Sequence, residues 1–351
     1  MTLLFIYIFF LIAIYFLLRQ GNQNQQNLVL LVTCFVLSWL AGTRDMARWA
    51  DTDSYMICLD NTPTLADFSI SSEPYGYSEL GFYWLSVLIK SFDSSYIFYF
   101  FIIAAISLAV IYKGLYRYCC YPLLGMAIYI ARFFSGRNLI QIRAGLAYAI
   151  IFLGIKYITE RDWKKYFLLV FIAYQFHHSV LIAVPLYFVT FIKIKKWHVI
   201  VGLVIAFILG GFFQGTLQNY VTDQLQDFNE STAATYTTGI EVERAKGLAN
   251  PLIYFQTLIL LVYTFAEKWI KRIDPHYYTI RAAYLYSTMI LITFCMFIGL
   301  SSRTSTLFAT LEIVMLPSLL KAFQKSLFNI GYLVLASGIT GIFILNYILT
   351  N

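Results

Sequence analysis

Twelve apolar stretches follow one another along this chain of 351 residues, near 3–18, 27–42, 95–112, 121–134, 139–158, 165–176, 179–192, 198–213, 250–267, 281–299, 304–320 and 328–349. A helix needs about 20 apolar residues to cross the hydrocarbon core of a bilayer. Lipid tolerates only helices and closed barrels, because a backbone N–H or C=O finds no water there. The runs therefore predict an all-α, polytopic integral membrane protein of about 12 transmembrane segments, with residues 1–351 as one unit. Composition agrees, with 60% of residues hydrophobic and 12% charged, against about half and a quarter in soluble domains. A water-soluble enzyme is excluded. Residues 3–18 lack a basic leader and a small-residue cleavage site, so they read as a first span rather than a signal peptide.

A net charge of +7 does not point to nucleic acid here, because lysine and arginine collect in the cytoplasmic loops of membrane proteins. With the loops at 19–26, 113–120, 156–165, 193–197, 268–281 and 321–327 facing the cytoplasm, 16 of the 25 basic residues lie inside. Only Glu160, Asp162, Glu267 and Asp274 share that face. This asymmetry predicts both termini outside, membrane lipid as the surroundings and no nucleic-acid partner. The 6 tryptophans fall near segment ends or in loops, as an interfacial belt requires. The 5 cysteines fit no zinc spacing, and only Cys58 falls in an outer loop, so no structural disulfide is expected.

Two stretches strain this map. Leu80–Ile89 is apolar over ten residues between Glu79 and Lys90; as a helix it reaches about 15 Å, half the hydrocarbon thickness. It reads as an amphipathic helix on the outer surface, with a short true span as the alternative. Tyr166–Ile192 carries His177 and His178 near its middle. A single span there would invert the charge asymmetry of everything downstream, so two short halves around the histidine pair are expected, below the outer surface and beside protein or water. The outer loop 43–94, which includes the juxtamembrane helix, is rich in acids, and the polar outer loop 214–249 has the length of a lid.

The densest cationic signal is "ARFFSGRNLIQIRAGLA", which holds Arg132, Arg137 and Arg143. Arginine at an outer boundary runs against the positive-inside rule and calls for a partner, and planar guanidinium groups match phosphate oxygens. Snorkelling to lipid headgroups is the alternative. Glu312 is the one acid well inside an apolar segment, about nine residues beyond Arg303. It reads either as the orienting partner of an arginine or as a structural buried carboxylate. His177 and His178 have the chemistry of a general base or of a hydrogen-bond donor to phosphate. The run "RDMARWADTDSY" sets Arg44, Arg48, Asp51, Asp53 and Tyr55 at an outer helix end. No P-loop, dinucleotide-binding glycine motif, His-Glu-x-x-His or nucleophile-elbow serine occurs, so ATP-driven transport and zinc or serine hydrolysis lack support.

At these residues the chain resembles the EpsG/Wzy family of bacterial exopolysaccharide and O-antigen repeat-unit polymerases. Four elements occur in the family's order. "GTRDMARWADTDSYM" is similar to its Arg followed by a Gly-Thr-Asp-like turn and a Tyr, with Asp53 in the Asp position and Asp51 where Gly is common. "IQIRAGLAYAI" is similar to its Asn/Gln-x-Arg-Gln helix start; Arg143 matches and Ala144 replaces the Gln. "FHHSVLIAVPLYF" selects His177 rather than His178, and "SSRTSTLFATLEIVMLP" selects Arg303, Glu312 and Pro317. The resemblance implies lipid-linked oligosaccharide donor and acceptor on undecaprenyl diphosphate, a fold like that of the GT-C glycosyltransferases with a periplasmic-side cavity, and a chain-length regulator protein as partner. It implies a multi-pass place in the bacterial cytoplasmic (inner) membrane, with the active site facing the periplasm.

The combined expectation is a glycosyltransferase that moves a growing glycan from its lipid diphosphate to a hydroxyl of the next lipid-linked unit. Arg143 and Arg303, with Arg132, Arg137, Arg44 and Arg48, are expected to bind the diphosphate, and Glu312 to orient Arg303 or Arg143. Asp53 or His177 is expected to deprotonate the acceptor. No cofactor and no metal ligand set is expected, because the activated bond already sits in the donor; metal dependence stays open. A flippase for lipid-linked glycan and an O-antigen ligase are the alternatives.

Overall fold

The computed structural model describes residues 2–18, 23–69, 74–213, 246–297, 305–323 and 325–350. Residues of these ranges are helical or in short connections, and no strand forms among them. The chain divides into two compact units, Met1–Leu181 with Glu312–Asn351, and Ile182–Leu311.

The first unit opens with α1 (Thr2–Leu18), α2 (Gln23–Gly42) and the short α3 (Thr52–Asp60). Then come α4 (Leu80–Phe92), α5 (Tyr96–Tyr118) and α6 (Pro122–Tyr129). A π-helix over Ile130–Ile140 leads into α7 (Ile142–Leu153), α8 (Ile155–Thr159) and α9 (Trp163–Tyr174). Local chemistry fixes several of these starts. The Ser95 hydroxyl accepts the Phe98 amide at 3.3 Å ahead of α5, and the Asp162 carboxylate accepts the Lys165 amide at 3.2 Å ahead of α9. Pro122 begins α6, where its missing N–H costs nothing. Before α3, Asp51 lies in the left-handed region at φ 63°. Glycine adopts that conformation without steric cost and Asp tolerates it, which is the physical reason a glycine suits this position of the turn.

The second unit holds α10 (Val184–Val189), α11 (Lys196–Phe212), α12 (Pro251–Phe265), α13 (Glu267–Ile270) and α14 (Tyr277–Thr293). Asn250 caps α12 through the Leu252 amide at 3.0 Å, with Pro251 in the first turn. Arg281 of α14 is fully buried and donates to Glu267 at 2.9 Å, to the Tyr277 hydroxyl at 3.2 Å and to the Ile194 carbonyl. The sequence suggests loop charges at these positions, whereas Arg281 and Glu267 form an internal clamp that ties the segment before α11 to α13 and α14. The chain then returns to the first unit with α15 (Glu312–Ser318) and α16 (Phe328–Thr350).

Among the described residues, five helical stretches are long and apolar enough to cross a membrane: 23–42, 96–118, 142–159, 305–322 and 328–345. Five shorter apolar helices accompany them, including Leu3–Leu18, Lys196–Phe212 and Pro251–Phe265. The helix expected at 80–89 is α4, which buries Phe82, Tyr83, Val87 and Ile89 and leaves Leu80, Trp84, Leu88 and Phe92 exposed. At 13 residues it rises about 20 Å, still short of a bilayer core. The break expected at the histidine pair is present: α9 stops at Tyr174, and His178–Ala183 forms a 3-10 turn. Most of the lid expected at 214–249 lies outside the described residues. All five cysteines are free thiols.

One connection of the second unit carries a pH signature. Asp274, between α13 and α14, is buried, with one carboxylate oxygen accepting the His276 amide at 2.8 Å and the other without a partner. Burial pushes its pKa up to about 6. The folded chain thus holds this proton more tightly than the unfolded chain does, so stability is greatest below the ordinary carboxylate range and falls as pH rises through about 6. Asp274→Asn keeps the bond to His276 and removes the charge. Its expected effect is a gain on the order of 2 kcal/mol at pH 8 and none at pH 4, read from unfolding of the full-length protein in detergent across that range.

Candidate active site

The polar centre of the first unit forms where the π-helix meets α7. π-Helices are rare, occur mostly as single-turn bulges and are frequent at functional sites; this one runs for 11 residues. It ends at Gln141, whose φ of −91° and ψ of 63° leave the helical region. Residues 137 and 145 would stand about 12 Å apart on a continuous helix. Instead, a Cβ added to Gly145 would lie 2.2 Å from the Arg137 carbonyl oxygen. The chain therefore turns back at Gln141, and only glycine fits where α7 passes the end of the π-helix.

Four arginines gather around this turn. Arg44, just beyond α2, donates through Nη1 to the carbonyls of Asn138 at 3.2 Å and Leu139 at 2.9 Å, at the end of the π-helix. Its guanidinium carbon lies 3.6 Å from the centre of the Phe100 ring, while Nε and Nη2 are buried with no acceptor. Burial lowers its pKa to about 10, so it stays charged at neutral pH. Arg137 is buried, 4.2 Å from the Phe133 ring centre and 5.5 Å from that of Tyr148. Arg132 lies 5.5 Å from the same Phe133 ring and pairs with the fully buried Glu312 at 3.5 Å. Arg143, in the first turn of α7, donates to Glu79 at 2.6 Å and to Ser78 at 3.3 Å, with the Tyr55 ring 5.8 Å from its guanidinium. Burial raises the Tyr55 pKa, so its hydroxyl stays protonated.

Glu312 pairs with Arg132, while Arg303, one of the two partners expected of it, lies outside the described residues; Arg143 takes Glu79, a residue that the sequence places among the loop acids. Glu79 is buried because the start of α4 docks on the end of α9. The Phe82 amide donates to the Gln175 carbonyl at 3.1 Å, and a Cβ on Gly81 would lie 2.5 Å from that of Gln175. Two residues beyond Gln175, His177 accepts the Ser179 amide on Nδ1 at 3.1 Å. In a neutral imidazole this fixes the proton on Nε2 and makes that nitrogen a donor. The His177 ring lies 6.3 Å from that of Tyr148, whose hydroxyl bonds Ser179 at 3.0 Å, so His177 joins the Arg137 side of the centre. His178 is exposed and stacks on Tyr174 at 4.6 Å.

Two other expected members are exposed to solvent. Asp53 is exposed in the first turn of α3, about 200° around the helix from the buried Tyr55. Arg48 is exposed over Trp49 at 5.4 Å. Arg303 lies outside the described residues. Asn138 joins the centre without a distinctive sequence signal; its side-chain carbonyl accepts the Tyr129 hydroxyl at 2.7 Å and its Nδ2 is buried without a partner. Among the described residues, no group of three or more His, Cys, Asp or Glu side chains is placed to hold a metal ion.

Long apolar helices around a buried arginine-rich centre define a multi-pass membrane protein with a polar core in one of its helical units. The EpsG family model matches residues 27–351, nearly the whole chain; the chain belongs to that family, which is one of Wzy-type polysaccharide polymerases. No match is found among curated proteins or solved structures.

Proposed function

We propose that the protein polymerises lipid-diphosphate-linked oligosaccharide repeat units on the outer face of the cytoplasmic membrane, at the arginine centre of its first unit. The observation that carries this reading is the gathering of Arg44, Arg132, Arg137 and Arg143 around one turn, with Glu79 and Glu312 as the facing carboxylates. Such a surplus of guanidinium in an apolar bundle suits a polyvalent anion, and a diphosphate offers oxygens to several planar donors at once.

In the proposed reaction an acceptor hydroxyl attacks the anomeric carbon of the donor glycan. The bond from that carbon to the phosphate oxygen breaks, and the diphosphate leaves on its lipid with the bonding electrons. Arg143 and Arg137 stabilise the charge that grows on it. Glu79 holds Arg143, and Glu312 holds Arg132. His177, with Nδ1 engaged by the Ser179 amide, donates from Nε2 to the substrate. The acceptor proton then passes to a carboxylate, for which Asp53 is the candidate. No nucleotide is consumed, because the donor bond is already activated.

The test is reconstitution of the purified protein with lipid-linked repeat unit as the only substrate, with and without chelator. Lengthening supports the reading; unchanged units support a flippase or a ligase instead. The same assay isolates Glu79. Glu79→Ala is expected to lower kcat on the order of tenfold to 10²-fold by releasing Arg143, and Glu79→Gln, which still accepts from Arg143, to restore most of it. An equal loss in both variants would remove the positioning role.

A further inference from the structure

We infer that the cleft beside Arg44 is a subsite for a neutral sugar of the acceptor glycan. This rests on the polymerase reading and adds to it where the acceptor is held. The cleft has a volume of about 640 Å³ and opens between the ends of α2 and α3 and the start of α5, within the range of about 300–1,000 Å³ usual for small-molecule sites. Arg44, Met46, Asp60, Ser94, Ser95 and Tyr96 line it.

The chemistry of the wall selects the ligand. The Tyr96 hydroxyl donates to the two Asp60 carboxylate oxygens at 2.7 and 2.8 Å, and both residues stay accessible. Each carboxylate oxygen keeps a lone pair for a further donor. The end of α3 that carries Asp60 is held firmly: the Lys90 ammonium donates to the carbonyls of Leu59 at 2.7 Å, Asp60 at 2.9 Å and Thr62 at 2.7 Å. Arg44 adds a cation to the wall, with its Nε and Nη2 buried behind it. A sugar hydroxyl both donates and accepts, so it satisfies Asp60 and the exposed Ser94 and Ser95 hydroxyls of the same wall together. A phosphate would meet the Asp60 carboxylate and be repelled, and an acyl chain would leave these groups unmet. Location supports the same ligand. Arg44 grips the end of the π-helix one residue beyond Arg137, so a glycan bound in the cleft has its reactive hydroxyl within the neighbourhood of the diphosphate centre.

The experiment uses the full-length protein in detergent and, as probe, the repeat-unit oligosaccharide released from its lipid. Calorimetric binding is measured for the wild type, Asp60→Asn, Tyr96→Phe and Ser94→Trp, the last of which fills the cleft without touching the Asp60–Tyr96 pair. Binding weakened at least tenfold in Asp60→Asn and Ser94→Trp, with unchanged thermal unfolding, supports the subsite. In the polymerisation assay the same two variants are expected to raise KM about tenfold and to keep kcat within about twofold. No binding to the wild type, or equal binding to all four proteins, overturns the inference. Failure of the wild type to lengthen repeat units while it still binds the probe would instead overturn the polymerase reading.

Discussion

Replacing Arg143 by alanine is expected to remove long-chain polymer from the cell surface while single repeat units still arrive there. The residue stands in the first turn of α7, held by Glu79 at 2.6 Å and backed by Tyr55. Its side chain is 29% exposed, so it is reachable by substrate. Loss of one charge-stabilising donor costs ~10²–10³ in kcat, enough to collapse a chain that grows by many successive transfers. Arg143→Lys keeps the charge but loses the planar fork, so partial activity with short chains is expected. Gel analysis of surface glycan reads both outcomes. Normal chain length in Arg143→Ala would end the assignment of this residue to chemistry, and units trapped inside the cell would point to translocation.

The second large effect is on stability. Arg281→Met removes the fully buried cation of a clamp in the second unit, leaving the Tyr277 hydroxyl and the Ile194 carbonyl without their shared donor and Glu267 with Lys271, at 3.6 Å, as its remaining cation. Breaking a buried pair from one side costs about 3–5 kcal/mol. The variant is expected to unfold at markedly lower temperature in detergent and to accumulate poorly in membranes. The double variant Arg281→Met with Glu267→Gln no longer leaves a charged carboxylate facing the apolar replacement and should recover part of the loss. A single variant as stable as the wild type would show that the clamp contributes nothing net.

The membrane class and the course of the long apolar helices were legible in the sequence because they rest on local physics. The capping bonds of Ser95, Asp162 and Asn250 come from the structure, whereas apolar runs such as 95–112 are long enough to declare themselves, and α5 follows that one. Asp51 shows the same at a single residue, since its φ of 63° explains the glycine common at that place in the family's motif. Arg132, Arg137 and Arg143 stood out because charge in an apolar setting is costly wherever it falls. Their partners did not stand out. Glu79 is 64 residues from Arg143 in sequence, and its burial depends on α4 docking against Gln175, a contact with no local pattern. Glu312 likewise needed the return of α15 to the first unit to meet Arg132. The π-helix was invisible for another reason: its residues read as ordinary helix, and only the close passage of Gly145 across the Arg137 carbonyl reveals the turn.

The central claim is that the arginines at the turn between the π-helix and α7 receive a lipid diphosphate. Its most direct test is equilibrium binding of undecaprenyl diphosphate to the full-length protein in detergent, comparing the wild type with Arg143→Ala and Arg137→Gln. The account predicts saturable binding to the wild type, suppressed by free pyrophosphate, and a loss of at least tenfold in each variant with folding intact. Equal affinity in all three proteins, or binding that inorganic pyrophosphate does not compete, would contradict it.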